Sequence, residues 1–350
     1  MIRSILCISF LFILISSNCS RKNERNVVNN SSSNVNVESL PQFESIAFSG
    51  TNIVWLVTRK GELLHTSDGG ASWRVIPSSI VGEVGAISFI NSQHGWVVNK
   101  QGQVWLTENN GQTWVKLSAV AGKGAFTTPR EILFIDELHG WVGDDFSIWR
   151  TEDGGMSWQL SLSAANRKQD KTWQPTHITF INPALGWVSS TNGIVHHTVD
   201  GGKTWQTRDI MEHADLRSIN FINANLGWMS GAPGGIYQSS DGGQTWRQLD
   251  EMRPLYLDSV YFVSEREGWA VGWKYGAENE SRRQGVVLRT FDGGLSWQPL
   301  QVGNNETFFN QIYFADTQHG WLVARDNIYR TTDGGASWLM VMSLPPIKSI

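Results

Sequence analysis

The stretch TSDGGASW, Thr66–Trp73, decides the fold because it returns six times. The later copies are TENNGQTW (Thr107–Trp114), TEDGGMSW (Thr151–Trp158), TVDGGKTW (Thr198–Trp205), SSDGGQTW (Ser239–Trp246), TFDGGLSW (Thr290–Trp297) and TTDGGASW (Thr331–Trp338). Successive tryptophans stand 41, 44, 47, 41, 51 and 41 residues apart. One acidic residue beside two glycines suits a metal, phosphate or sugar site. Seven copies at a near-constant period suit a repeated structural unit.

A second motif runs out of phase with the first. It reads FINSQHGW (Phe89–Trp96), FIDELHGW (Phe134–Trp141), FINPALGW (Phe180–Trp187), FINANLGW (Phe221–Trp228), FVSEREGW (Phe262–Trp269) and FADTQHGW (Phe314–Trp321). A degenerate first copy, FSGTNIVW, keeps Phe48 and Trp55 at the same spacing. The two motifs account for 14 of the 18 tryptophans, so tryptophan is used here chiefly as a repeated packing residue. Each unit divides into four short apolar runs separated by turn-forming residues, as in RSINFI, GWMSG, IYQSS and TWRQL of the fifth. Four strands per unit and seven units predict an all-β, seven-bladed β-propeller of four antiparallel strands per blade. The Asp-Gly-Gly hairpin joins the third and fourth strands.

These repeats resemble the Asp-box, or BNR, repeat. Paired with the Phe…Gly-Trp motif, they resemble the photosystem II stability/assembly factor family, whose members are seven-bladed propellers. The resemblance covers about residues 41–344. It speaks to fold more than to function, because Asp boxes occur in sialidases, glucanases, sorting receptors and assembly factors alike.

Within a box, Asp68 is expected to accept hydrogen bonds from its own turn. Gly69 and Gly70 should supply positive φ, Ser72 should tie the turn to a neighbour, and Trp73 should pack inward between blades. Unit two has Asn109-Asn110 in place of Asp-Gly, a change that would weaken a metal ligand but not a turn. Asp68, Asn109, Asp153, Asp200, Asp241, Asp292 and Asp333 are therefore read as structural. The Gly-Trp tryptophans are read as a packed layer, not as sugar platforms.

The N-terminus carries Arg3 and an apolar run from Ile5 to Ile15, the pattern of a signal segment. Cys19 follows in a context that resembles a lipobox. The expected organisation is a signal with a lipidated Cys19 over 1–19, a flexible Asn/Ser-rich tether over 20–40, and the propeller over 41–350. That places the protein in the bacterial cell envelope, lipid-anchored at the membrane. The other cysteine, Cys7, lies inside the signal, so no disulfide is expected in the mature domain. A formal net charge of -4 argues against a nucleic-acid partner.

Strands of a propeller blade alternate in direction, so the Asp-box turns share one face. The second-to-third turns and interblade links share the other, and every unusually long segment falls there. The link between blades three and four carries Arg167, Lys168, Lys171 and Trp173. The link between blades two and three carries Lys123 and Phe126. Blade six carries Trp273, Lys274, Tyr275, Arg282 and Arg283 in GWKYGAENESRRQGVV, read as a long loop. Basic and aromatic residues together suit a recognition surface. A second candidate is the channel mouth, reached four residues before each motif Phe: Glu44, Gly85, Arg130, Thr176, Arg217, Asp258 and Asn310. The resembling assembly factors carry an arginine-rich patch, and here only Arg130 and Arg217 are basic in this set.

The reading that follows is a non-enzymatic, membrane-tethered monomer that binds an envelope or membrane protein and needs no metal or cofactor. A glycosidase or carbohydrate-binding propeller is the alternative, with Asp144, Asp145, Asp215 and Asp258 as candidate carboxylates. No Cys or His grouping suggests a metal centre. His196 and His197 are adjacent on one strand and point to opposite faces.

Overall fold

Alternating apolar residues bounded by Gly, Asn and Asp form strands throughout the computed structural model. It describes residues 43–58, 61–76, 80, 82–117, 128–164, 173–210, 214–232, 234–251, 255–276, 279–303 and 308–343. Blade 1 consists of β1 (Phe43–Ser49), β2 (Ile53–Thr58), β3 (Leu63–Thr66) and β4 (Arg74–Ile76). Blade 2 holds β5 (Val84–Phe89), β6 (Gly95–Asn99), β7 (Val104–Thr107) and β8 (Val115–Lys116), and blade 3 holds β9 (Glu131–Phe134), β10 (Gly140–Gly143), β11 (Ser147–Thr151) and β12 (Gln159–Ser163). Blade 4 is β13 (Pro175–Phe180), β14 (Gly186–Ser190), β15 (Ile194–Thr198) and β16 (Gln206–Asp209); blade 5 is β17 (Asp215–Phe221), β18 (Gly227–Ala232), β19 (Gly235–Ser239) and β20 (Arg247–Glu251). Blade 6 has β21 (Leu255–Phe262), β22 (Gly268–Gly276), β23 (Asn279–Thr290) and β24 (Gln298–Leu300), and blade 7 has β25 (Phe309–Phe314), β26 (Gly320–Ala324), β27 (Asn327–Thr331) and β28 (Leu339–Ser343).

Every sheet runs in sequence order from its first strand to its fourth, and every pairing is antiparallel, as the repeats predict. First strands are buried and fourth strands exposed, which places the first at the channel and the fourth at the rim. Among the described residues no sheet borrows a strand from the other end of the chain. The ring therefore closes by packing blade 7 on blade 1.

The two motifs build that packing together. In blade 4, the Phe180 ring stacks on Trp141 of blade 3 at 3.5 Å and meets its own box tryptophan, Trp205, edge-on at 6.1 Å. Equivalent stacks, 3.5–3.8 Å between centroids, join Trp55–Phe89, Trp96–Phe134, Trp187–Phe221, Trp228–Phe262 and Trp269–Phe314. The Gly-Trp tryptophans are fully buried, so they form the expected packed layer. Each such pair adds about 0.5–1.5 kcal/mol beyond its buried area. Five of these tryptophans also donate their indole N–H to an Asp-box glycine carbonyl of the next blade, for example Trp187 Nε1 to Gly242 O at 2.8 Å.

The glycine before each tryptophan has a steric cause. Phe180 pairs across the hairpin with Gly186, and a Cβ on Gly186 would lie 2.4 Å from the Phe180 ring. The phenylalanine occupies the space a side chain would need. Blade 1 breaks the rule, because Val54 faces Phe48. Phe48 turns instead onto Tyr313 at 4.6 Å and meets Trp321 only in a tilted contact at 6.1 Å. Trp321 and Trp55, on the two seams of blade 1, are also the two tryptophans at this motif position whose indole N–H has no hydrogen-bond partner. Arg330 reinforces the closing seam, reaching Asn52 Oδ1 at 2.5 Å and lying 5.8 Å over Trp321, while Trp73 Nε1 donates to Val341 O at 3.2 Å.

Candidate functional site

The Asp boxes are clasps. Thr66 Oγ1 donates to Asp68 Oδ1 (2.7 Å) and accepts from Gly70 N (2.9 Å); Asp68 accepts from Ser72 N (3.0 Å) and Ser72 Oγ (2.5 Å). The Ser72 hydroxyl thus closes its own turn, and does not reach a neighbour as expected from sequence. It sits four residues after the aspartate, within reach of the second carboxylate oxygen. Gly69 and Gly70 both take positive φ. Asn109 keeps the geometry, accepting from Thr113 N at 2.9 Å and donating to Thr113 Oγ1 at 2.8 Å, and Asn110 takes φ 59°. In Asp292 and Asp333 the hydroxyl and N–H of Ser296 and Ser337 hold the carboxyl at about 2. Three hydrogen bonds from its own turn engage each of these carboxylates, two on Oδ1 and one on Oδ2, so the carboxylate is committed to the turn.

The channel-mouth set has a common geometry. Glu44, Gly85, Thr176, Arg217, Asp258 and Asn310 each sit where the first-to-second strand register slips by one residue, and Arg130 immediately precedes β9. A bulge re-aims its extra residue away from the ladder. The charges are mutually engaged. Arg130 pairs with Asp145, which also accepts from Thr128, and Arg217 lies 3.6 Å from Asp215. Lys100 bridges Glu44 (3.6 Å) and Glu83 (3.2 Å). Burial in the channel wall pushes Asp258 up to about 6, against the opposing pull of Arg217 and Arg283.

One residue further along each first strand lies a second ring that sequence reading passed over. Its side chains bond the backbone of the next blade: Ser45 to Ile87 N (3.3 Å), Glu131 to Ile178 N (3.0 Å), His177 to Ile219 N (3.2 Å) and Ser218 to Val260 N (3.3 Å). Glu131 and His177 are buried, with Oε1 and Nε2 3.7 Å apart. Burial raises the Glu131 carboxyl well above the usual carboxylate range and lowers His177 to about 4, disfavouring the charged form of each. The signal was available as a polar residue three positions before the motif Phe.

The blade 6 segment is not a loop. β22 and β23 continue as a hairpin past the other strands, with Trp273 opposite Gly285 and Tyr275 opposite Arg283. Tyr256 stacks on Trp273 at 4.1 Å, Tyr275 closes edge-on at 5.2 Å, and the Arg283 guanidinium lies 4.3 Å over Trp273. Tyr275 is 41% exposed. Beside the hairpin lies a groove of about 460 Å³, bordered by Lys274 and Arg283 and floored by Val302 and Phe309.

The remaining candidates separate cleanly. Trp273, Lys274, Tyr275 and Arg283 are brought together, and Arg217 approaches them through Asp258. Trp173 is 1% exposed and packs on His196 at 4.6 Å, so it anchors the interblade link to blade 4 and offers no surface for recognition. Asp144 is buried and caps its own hairpin, accepting from Phe146 N (3.0 Å) and Trp149 Nε1 (3.2 Å), which removes it as an available carboxylate. Cys19, Lys123, Phe126, Arg167, Lys168 and Lys171 lie outside the described residues, as does the Arg282 side chain. Among the described residues no group of three His, Cys, Asp or Glu could hold a metal ion, and no helix is long and apolar enough to cross a membrane.

Comparison with known proteins adds a family. The model of the photosynthesis system II assembly factor YCF48 family matches residues 23–121, 123–207 and 168–256. Over 43 residues the chain is 42% identical to the photosystem II assembly lipoprotein Ycf48 of Picosynechococcus sp.; that match spans 12% of this chain and 13% of the relative. A solved structure of YCF48 bound to D1 peptide superposes with a TM-score of 0.65 at 20% identity, covering 84% of this chain and 94% of that one. YCF48 from Cyanidioschyzon merolae gives 0.63 at 18% identity over 85% and 96%. At these identities the structural likeness speaks for the fold.

Proposed function

The chain belongs to the photosynthesis system II assembly factor YCF48 family, and from that membership we propose that it is a non-enzymatic, lipid-anchored propeller that docks a membrane-protein partner on the face opposite its Asp boxes. One observation carries the reading. The blade 6 hairpin gathers Tyr256, Trp273, Tyr275 and Arg283 into a stacked aromatic–cation cluster on that face. Aromatics and arginine are the residues that anchor protein interfaces. The YCF48 structure with a bound D1 peptide supports a protein ligand for this family's fold. The lipid anchor rests on Cys19 and on the relative being a lipoprotein, and a monomeric state in the envelope completes the proposal.

The glycosidase alternative has little support in the carboxylates. Hydrolysis needs an acid and a second free carboxylate at a set separation. Asp144 is committed to its hairpin, Asp145 to Arg130, and Asp215 lies against Arg217. Burial gives Asp258 the raised pKa of an acid. Capture from solubilised envelope tests the reading. The protein should retain a specific membrane-protein partner, and Trp273→Ala with Arg283→Glu should reduce recovery by more than about tenfold, as for loss of a hot spot. Undiminished recovery, or glycan turnover abolished by Asp258→Ala, would overturn it.

A further inference from the structure

β23 is 12 residues long, and its outer neighbour β24 is three. β24 pairs only with Val287–Arg289, so the outer edge of β23 from Asn279 to Val286 has no strand partner among the described residues. Other blades cover this edge: β20 pairs along β19 from Gly235 to Gln238, and β28 along β27 from Asn327 to Arg330. An open strand edge is a template for another chain.

We propose that the outer edge of β23, over Arg283–Val286, takes up an extended acidic peptide as a fifth strand of blade 6. Three features define the occupant. The groove of about 460 Å³ runs along this edge, with the chain leaving β24 as its far wall. Among its described lining residues the charged ones are Lys274 and Arg283, both basic. Asp258 shares the field of Arg283 from the channel side, where it steadies that cation without entering the groove. Gly285 stands in the middle of the edge, and a glycine inside a strand permits close approach by a second backbone. Main-chain hydrogen bonds would then supply affinity, and alternate acidic side chains the selectivity. The inference rests on the docking function proposed above and specifies where and how the partner's chain is held.

The probe is a fluorescent decapeptide alternating Glu with Val, used with the purified full chain. Three controls accompany it: a Lys-for-Glu version, and two versions N-methylated at alternate residues, one in each register, so that each lacks every N–H donor on one side of the strand. The acidic peptide should bind, slowing amide hydrogen exchange across 283–286 by at least tenfold. Lys274→Glu and Arg283→Glu, both on the surface, should each weaken binding about tenfold. N-methylation on one register should abolish it. Equal binding of the basic or of both N-methylated peptides, or unchanged exchange at 283–286, would overturn the inference. If that happens while envelope capture remains sensitive to Arg283→Glu, strand addition fails and the docking function stands. If the peptide adds as a strand while envelope capture ignores Arg283→Glu, the edge stands and the docking function fails.

Discussion

Replacing Gly186 by alanine places a methyl group 2.4 Å from the Phe180 ring. Ordinary carbon contacts begin near ~3.4 Å, so the ring must retreat by roughly 1 Å. It has nowhere to go. Trp141 lies 3.5 Å behind it, and that indole is fixed by its bond to Gly201 O at 3.1 Å. Overpacking of this kind costs about 1–3 kcal/mol, and partial loss of the stack adds about 0.5–1.5 kcal/mol. Gly186→Ala is therefore expected to destabilise the propeller by about 2–4 kcal/mol. Urea unfolding followed by tryptophan fluorescence and far-UV circular dichroism reads the change. A cycle with Phe180→Leu sharpens it, because the smaller side chain yields to the methyl, and a coupling of at least about 1 kcal/mol should appear. Blade 1 already contains the natural counterpart, where Val54 has turned Phe48 away from Trp321. A loss for Gly186→Ala within about 0.5 kcal/mol, the usual range of a neutral surface change, or strictly additive effects, would refute the steric account of the Gly-Trp motif.

The Asp-box clasp predicts that Asp333→Asn, which copies blade 2, stays within about 0.5 kcal/mol of the parent, whereas Asp333→Ala orphans Ser337 and Thr331 and costs about 1–2 kcal/mol. Because the folded carboxyl is held at about 2, its contribution is present above the unfolded value near 3.8 and disappears as pH falls through about 2; the Asn variant should show a flatter acid limb in thermal melts. Asp258 has the opposite sign. Its folded pKa of about 6 exceeds the unfolded 3.8, so stability falls as pH rises from about 4 to 6 and stays lower above. The full shift is worth at most about 3 kcal/mol, and the partial exposure of Asp258 reduces this to about 1–2. Asp258→Asn should recover that amount at pH 7.5 and flatten the slope, and an unchanged pH profile would contradict the burial argument.

The fold was legible because its determinants are local and repeated seven times: Phe over Gly, Trp behind it, Asp with its Ser or Thr four residues on. Counting from the motif Phe also located the bulge residues Arg217 and Asp258 and, just before β9, Arg130. What counting cannot supply is engagement across distance. Arg130 finds Asp145 on another turn, and Trp173 finds His196 two strands away; a loop residue and a core residue look alike where periodicity lapses. GWKYGAENESRRQGVV was misread for a related reason. Its Gly, Asn and charged residues are turn formers, yet alternation of Trp273, Tyr275 and Arg283 on one side of a twisted hairpin outweighs them. The Glu131–His177 pair escaped notice because polar residues in an inner strand suggest solvent, whereas these serve backbone groups of the neighbouring blade.

The most direct test of the docking face uses a photo-crosslinking residue placed at Tyr275 on the blade 6 hairpin and, separately, at the more exposed Val199 of the fourth Asp box. Irradiation in intact envelopes should yield a discrete adduct with a membrane protein from Tyr275 and none from Val199. An adduct from Val199 alone, or equal adducts from both positions, would contradict the assignment of function to the face opposite the Asp boxes.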